Sequence, residues 1–415
     1  MSYQRQFKLM TVFGATCLLS AGATFVYRGI NDVDSPLYSK LVMPLLHKID
    51  PEEAHNLSKL MMKYGIGPKE KKLLPNQYGL DPHINLHTDC LGYHFENPIG
   101  LAAGFDKDAE CMDGIQKLGF GFMEVGSICP QPQPGNPKPR IFRLNSKVSD
   151  VDEQVFDTIL NRCGFNSKGM EISDENLTTY RKSHKSSFPI GVNLGKNKAS
   201  TPESIEDYLI GVKRLAKHAD FLVINVSSPN TQHLRSLQEK SSLDTLIEEV
   251  SVELKKHKNI PLLIKIAPDL TLDQQRDIAS LALKHSIGGI IVSNTTIERP
   301  FVSGEQINAI PNGSAGGLSG RPLFNQSTKV LKNMYKLTEG KITLIGVGGV
   351  WDGYDALQKI QAGASLVQVY TAFTAQGPAV VGKIKRELAQ LLAEGGYKGV
   401  SDAVGSKAKY SKLEE

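Results

Sequence analysis

Lys107, Asn193, Asn225, Ser228, Lys265 and Asn294 stand at or just beyond the ends of short apolar runs, with further amides at Asn161, Asn166 and Asn230. Asparagine carries both a hydrogen-bond donor and an acceptor. Several of them around one point suit a small planar molecule rich in amide N–H and C=O groups. Lys265 reads as a lone charge in the apolar run LLIKIAPD. An ammonium is not buried without a partner, so a counter-charge or an anionic ligand is expected beside it. Against a flavin-type ring its charge would stabilise an anionic reduced form; a Schiff-base lysine is the alternative role. Lys107, next to Asp106, poses the same choice, with a plain solvated lysine as the bland alternative. Ser228 lies in NVSSPNT, with no His–Asp set beside it and no GxSxG frame, which disfavours hydrolysis. A serine can still take a proton where water is excluded and another group removes charge in the same step.

Gly346-Val-Gly348-Gly349 and Tyr370-Thr371 close the last two apolar runs, and Gly317-Leu-Ser319-Gly320 reads as a turn. Glycine lets backbone N–H groups approach an anion closely. Phosphate groups in barrels gather at the last two strand ends. A phosphorylated cofactor or substrate is therefore expected here, the alternative being tight turns alone.

The elements that must position these residues are eight apolar runs, at 99–103, 122–127, 190–194, 221–228, 262–267, 289–294, 342–349 and 366–371. Helices are predicted over 110–118, 202–219, 243–256, 274–285, 354–362 and 378–394. Parallel strands need crossovers of this kind. Eight such units with chemistry at the strand C-termini describe an α/β chain folded as a TIM (β/α)8 barrel. An open doubly wound sheet would carry GxGxxG ahead of its first helix, and none occurs. Residues 86–95 read as a hairpin, 151–160 as helical, and the Pro-rich stretch 129–140 as an ordered, non-helical excursion. The Gly- and Pro-rich residues 295–322 read as a structureless lid.

Three parts are expected: a targeting or transmembrane segment over 1–30, a two-helix region over 31–68, and a barrel over 69–415 with an insertion at about 129–188. Residues 10–27 carry no charge and are flanked by Lys8 and Arg28. At about 1.5 Å per residue they approach the lower limit of a membrane span. A single anchor is expected, against a cleaved signal or an organelle-targeting segment. In 36–66 the first helix carries Pro44 as a kink or break, and the second opens at Asp50-Pro51, a cap followed by proline at the first helical position. Such a pair ordinarily packs on a core; the alternative reading is an amphipathic pair that lies at a membrane surface and lines a path for a lipid-soluble molecule.

The chain has 415 residues, 40% hydrophobic and 22% charged, with formal net charge +5. No Arg/Lys stripe with interleaved aromatics is present, so nucleic acid is not an expected partner. The cysteines at 17, 90, 111, 129 and 163 are odd in number and form neither CxxC nor a zinc-like cluster. Neither a disulfide scaffold nor a metal site is expected.

Specific motifs narrow the reading: AAGFDK at 102–107, GNPKPR at 135–140, FRLN at 142–145, GFNS at 164–167, GVNLGKN at 191–197, NVSSPNT at 225–231, KIAPD at 265–269, SNTT at 293–296, GGLSG at 316–320 and GVGGV at 346–350. With these motifs the chain closely resembles the membrane-associated, quinone-dependent (class 2) dihydroorotate dehydrogenases, from about residue 36 to 394 and through the N-terminal anchor. The resemblance implies oxidation of dihydroorotate to orotate in pyrimidine biosynthesis, with FMN as hydride acceptor and ubiquinone as final acceptor. It assigns Ser228 as the base that removes the C5 proton while the C6 hydride leaves. It implies that Lys107, Asn161, Gly164, Phe165, Asn225, Asn230, Asn294 and Thr295 bind substrate. It implies that Ala103, Gly104, Lys107, Ser127, Asn193, Asn225, Lys265 and Ser293 contact FMN, and that Ser319, Gly320, Gly348, Gly349, Tyr370 and Thr371 hold its phosphate. His55 and Arg143 fall near the inner end of the quinone path. It further implies a monomer in the mitochondrial inner membrane, single-pass, held through membrane lipid, with its body facing the intermembrane space. Class 1 relatives use a cysteine base and lack the N-terminal helices. One departure from the family stands out: Cys163 occupies a position where tyrosine is common. Several quinone-side residues of the first helix also differ from animal relatives, notably Leu46 where glutamine is familiar. Another FMN-dependent barrel oxidoreductase acting on a planar amide heterocycle is the alternative function, and a membrane-tethered barrel without activity a third.

Overall fold

A hairpin of β1 (Thr88–Cys90) and β2 (Tyr93–Phe95) leads into β3 (Ile99–Leu101) and β4 (Phe122–Ile128). The chain then makes β5 (Ile141–Leu144) and β6 (Thr158–Asn161), which leave the barrel, and returns through β7 (Ile190–Leu194), β8 (Phe221–Asn225), β9 (Leu262–Ile266) and β10 (Gly289–Val292). After β11 (Gly317–Gly320), β12 (Thr343–Val347) and β13 (Leu366–Val369) complete the set. Strands β3, β4, β7, β8, β9, β10, β12 and β13 pair in parallel, in that order, into a closed eight-stranded barrel. This computed structural model describes residues 20, 22, 24, 29, 32–70, 84–148, 156–184, 188–231, 234–311, 315–409 and 411–414.

Side chains alternate across a strand, and this alternation fills the barrel in layers. Phe122, Phe221, Leu263 and Leu366 form an apolar plug, capped by Phe95 from the hairpin. A Cβ on Gly100 or Gly191 would meet the Phe122 or Phe221 ring at 2.3 or 2.1 Å, so bare glycines on β3 and β7 are what admit the two rings. Two residues further along β4, β7, β9 and β13 stand Glu124, Asn193, Lys265 and Gln368. The period that buries the plug therefore builds a polar layer directly above it, at the C-terminal end where barrels carry their sites.

A separate antiparallel sheet, ordered β11–β6–β5, carries Asn161 opposite Ile141 and Gly317. It corrects two expectations. Residues 158–160 are strand rather than helix, their pairing with β5 and β11 overriding local preference; residues 151–155 lie outside the described set. The 295–322 stretch is not structureless, since it holds the helix Gly304–Asn308 and β11. Gly317–Gly320 is thus strand, not turn. The helices Met170–Ser183 and Phe324–Leu337 were not anticipated. The first buries only Met170, Ser173, Leu177 and Tyr180, a thin apolar stripe.

The N-terminal pair is a π-turn, Tyr38–Val42, running into the helix Met43–His47, then the helix Pro51–Lys63. Pro44 does not end the helical run, but the π-helix Tyr38–Val42 directly precedes it, so the hydrogen-bond ladder changes where the proline N–H is missing. Asp50 accepts the N–H groups of Glu52 and Glu53 at 2.9 and 3.1 Å. Leu41, Leu45, Leu57 and Leu60 are left about half exposed on this pair.

The single-pass inner-membrane placement is corrected. Among the described residues no helix is long and apolar enough to cross a membrane. Residues 10–27 lie almost wholly outside the described set.

The helix Pro51–Lys63 docks through ion pairs. Arg140 donates to both Glu52 oxygens, at 3.0 and 2.6 Å, and Glu110 receives Lys59 at 2.9 Å and Lys168 at 2.8 Å. Burial alone would raise the Glu110 carboxyl, but hydrogen bonds from Lys168 and Lys59 hold it down at about 2, against an ordinary 4.5. Its folded value lies below its unfolded one, so its stabilisation is complete above the unfolded value and drains as pH falls toward the folded one. Glu110→Gln is expected to lower the thermal midpoint at neutral pH, with the gap to wild type closing as pH falls from 4.5 to 2. Melts across that window check it.

Candidate functional site

One cavity, about 300 Å³ in volume, runs from the strand ends of the barrel to the N-terminal helices. It collects nearly every residue singled out from the sequence. Ser228, Asn161, Gly164, Phe165, Asn225, Asn230, Asn294, Thr295 and Lys107 line it, as do Ala103, Gly104, Ser127, Lys265, Ser293, Ser319, Gly320, Gly348, Gly349, Tyr370 and Thr371. His55 and Arg143 line its helical end. Asn193 and Asn166 are exceptions: Asn193 is fully buried one layer below, and Asn166 lines a separate recess under the helix Pro51–Lys63.

The floor is a buried ion pair. Glu124, with no exposed surface, receives Lys265 Nζ at 3.2 Å, Gln368 Nε2 at 2.9 Å and Asn193 Nδ2 at 2.5 Å. One carboxylate from β4 therefore ties side chains from β7, β9 and β13. Lys265 is not the lone charge of the barrel interior. The signal for Glu124 is present in FMEVGSI, where a carboxylate interrupts an apolar run as Lys265 does in β9. The Gln368 Oε1 atom is buried without a partner and borders the cavity, so it is an acceptor available to a ligand N–H.

The asparagines form a relay above this floor. Asn225 Nδ2 donates to Ser127 Oγ at 2.9 Å, and Asn294 Nδ2 donates to Ser227 Oγ at 3.0 Å and Asn225 Oδ1 at 3.3 Å. On the opposite wall Asn230 Nδ2 donates to Asn161 Oδ1 at 3.0 Å. The amides thus hold each other in fixed orientations while facing one space. Ser228 is 7% exposed, and its Oγ accepts the Asn230 N–H at 3.3 Å. No described histidine or carboxylate hydrogen-bonds to it, which a hydrolytic serine would need. Asp106 turns away from the site to accept the N–H groups of Glu110 and Cys111. Lys107 donates instead to the Gly104 carbonyl at 2.9 Å.

Gly320, Gly348 and Gly349 all have positive φ. A Cβ would meet the Asp157 carbonyl at 2.1 Å, Ser327 Oγ at 2.7 Å and the Phe324 backbone at 2.5 Å respectively. Bare backbone is required at these positions, beside the Ser319 and Thr371 hydroxyls, 2.9 Å apart. This is the build of an anion cradle.

Toward the helices the walls become apolar. The His55 ring meets Phe105 edge-on, with centroids 4.7 Å apart. Burial, with Lys107 and Lys59 adding, pushes its imidazole well below the ordinary value, so it is neutral at physiological pH. The Arg143 guanidinium donates to the carbonyls of His47, Ile49 and Leu46 and lies 5.3 Å from the Phe156 centroid. It fastens the first helix to the small antiparallel sheet. Cys163 borders both this cavity and a second, polar recess under the helix Pro51–Lys63. Among the described residues no group of His, Cys, Asp or Glu is placed to hold a metal ion.

Fold and cavity define a barrel enzyme whose site combines an amide-lined ring pocket with an anion cradle. The family model for dihydroorotate dehydrogenase matches residues 85–392. A mouse protein named dihydroorotate dehydrogenase (quinone), mitochondrial, is 44% identical over 409 residues, covering 97% of this chain and 98% of that one. A dihydroorotate dehydrogenase (quinone) of Parvibaculum lavamentivorans is 44% identical, covering 88% and 97%. The ligand-free DHODH crystal structure from Eimeria tenella superposes with TM-score 0.77 at 41% identity, covering 86% of this chain and 99% of that one. The chain belongs to the quinone-dependent dihydroorotate dehydrogenase family. It oxidises dihydroorotate to orotate in pyrimidine biosynthesis, and its family is FMN-dependent.

Proposed function

We propose that the cavity holds FMN across the barrel rim, takes dihydroorotate against the amide cluster, and admits ubiquinone between the two N-terminal helices. The observation that carries this reading is the continuity of one cavity from Ser228 through the glycine cradle to His55 and Arg143. The residues fit the cofactor: the cradle suits a phosphate, and the orphan Gln368 acceptor suits a ring N–H. When bound, FMN supplies a two-electron acceptor for the hydride leaving dihydroorotate C6.

The chain's own groups do the rest. Asn161, Asn225, Asn230, Asn294 and Thr295, with Lys107, Gly164 and Phe165, hold the substrate ring and carboxylate. Ser228 Oγ takes the C5 proton. In a water-poor site this proton transfer is favoured only as charge leaves the adjacent carbon. Lys265, paired with Glu124, would contact the flavin ring, and Asn193, tied to the same carboxylate, would support that contact from the layer beneath. Ala103, Gly104, Ser127 and Ser293 border it, and Ser319, Gly320, Gly348, Gly349, Tyr370 and Thr371 cradle the phosphate. The half-exposed leucines on residues 38–63 suit the entry of a lipid-soluble quinone.

Removing residues 1–66 is expected to leave flavin reduction by dihydroorotate intact and to slow flavin reoxidation by long-chain ubiquinone much more than by a short soluble analogue. Stopped-flow measurement of both half-reactions tests this. Equal reoxidation with and without the helices would count against a quinone path between them.

A further inference from the structure

Behind the glycine cradle sits a second buried lysine that the reaction does not use. Lys359 lies in the helix Gly353–Gln361 with no exposed surface. Its Nζ donates to Ser327 Oγ at 2.6 Å and lies 4.8 Å from the Phe324 ring centroid. Asp355, one turn earlier, accepts the Trp351 N–H at 2.9 Å and makes no ion pair with it. Burial pushes the Lys359 ammonium well below an ordinary lysine, with Asp355 opposing. Such a charge destabilises the protein around it unless an anion arrives.

The link to the cradle is short. Ser327 Oγ lies 3.1 Å from the Gly348 carbonyl. Where the lysine is protonated it can only donate, so Ser327 directs its own proton to a carbonyl, a role Gly348 shares with the Leu323 and Phe324 carbonyls of the serine's own helix, at 2.8 and 3.1 Å. The Gly348–Gly349 peptide is trans, and in a trans peptide C=O and N–H point opposite ways. Drawing the Gly348 carbonyl inward aims the Gly349 N–H outward, toward the cavity that Gly349 lines. That N–H finds no backbone acceptor of its own.

We propose that Lys359 is a positioning residue for the cofactor phosphate: through Ser327 it fixes the Gly348–Gly349 peptide, and it sets a positive charge one layer behind the cradle. This rests on the reading that FMN places its phosphate there. In the low-dielectric interior the charge acts on a dianion over a longer range than it would in water.

The test is Lys359→Met in the full chain, stripped of flavin and reloaded with FMN or with riboflavin, which lacks the phosphate. FMN affinity is expected to fall about tenfold or more, as for loss of charge-assisted hydrogen bonding, while riboflavin affinity stays unchanged. The flavin-free variant is expected to melt no lower than wild type, because an unpaired buried charge has gone, and its rise in midpoint on adding FMN should shrink. A purely structural lysine would lower both melts and leave the FMN-to-riboflavin preference intact; that result overturns the proposal. Ser327→Ala severs the link while keeping the charge, so a folded protein is available if the methionine variant fails, and an unchanged preference there also overturns it. Wild-type protein with no preference for FMN over riboflavin would be a different failure, removing the phosphate reading and this inference with it.

Discussion

Ser228→Ala is expected to keep its flavin and to lose about 10²–10⁴-fold in the rate of flavin reduction by dihydroorotate, the usual worth of a general base. The geometry gives the reason. Ser228 is buried at the end of the β8 segment, within the same cavity as the asparagine relay, and its oxygen is oriented by the Asn230 N–H. Its hydroxyl is hydrogen-bonded to the Asn230 N–H rather than to Glu124, Lys265 or the glycine cradle, so removing it leaves the groups assigned to FMN in place. Binding and chemistry should therefore separate cleanly: an unaltered flavin spectrum with slow bleaching. A wild-type reduction rate in stopped flow would remove the serine from the mechanism.

Glu124→Leu is expected to lower stability by ~3–5 kcal/mol, because it strands Lys265 as an uncompensated buried charge. Lys265 is 4% exposed, and Glu124 is its only ion-pair partner among the described residues. The same substitution also leaves the Asn193 and Gln368 amides without their shared acceptor. Pairing it with Lys265→Met should recover part of the loss, since replacing both members of a buried pair is far milder than removing one. Denaturant melts of the two single variants and the double variant measure the coupling. Additive losses would mean that the two charges do not stabilise each other.

The barrel was legible because its strands are mostly apolar runs, buried on both faces, with helix-length stretches between most of them. Helix starts were legible where a cap marks them, as at Asp50. The small sheet was not legible. Its strands IFRL, TILN and GLSG are four residues each, and β6 pairs with β11 across more than 150 positions, so no local pattern announces it. Reading 295–322 as structureless also hid the helix Phe324–Leu337, although Val330, Leu331 and Met334 carry a helical face. At the site, the cavity-lining residues were visible as strand-end amides and glycines. The residues that hold them were harder to find. Glu124 was in plain view as a charge in an apolar strand. Lys359 lies on an outer helix, and only the packing of Ser327 against Gly348 connects it to the cradle.

The most direct measurement is anaerobic mixing of the purified, flavin-loaded enzyme with dihydroorotate, followed at the flavin absorbance and then with ubiquinone added. Bleaching by dihydroorotate and recovery on adding quinone is the predicted result. Absorbance unchanged by dihydroorotate would contradict the placement of FMN and substrate together in the cavity beside Ser228.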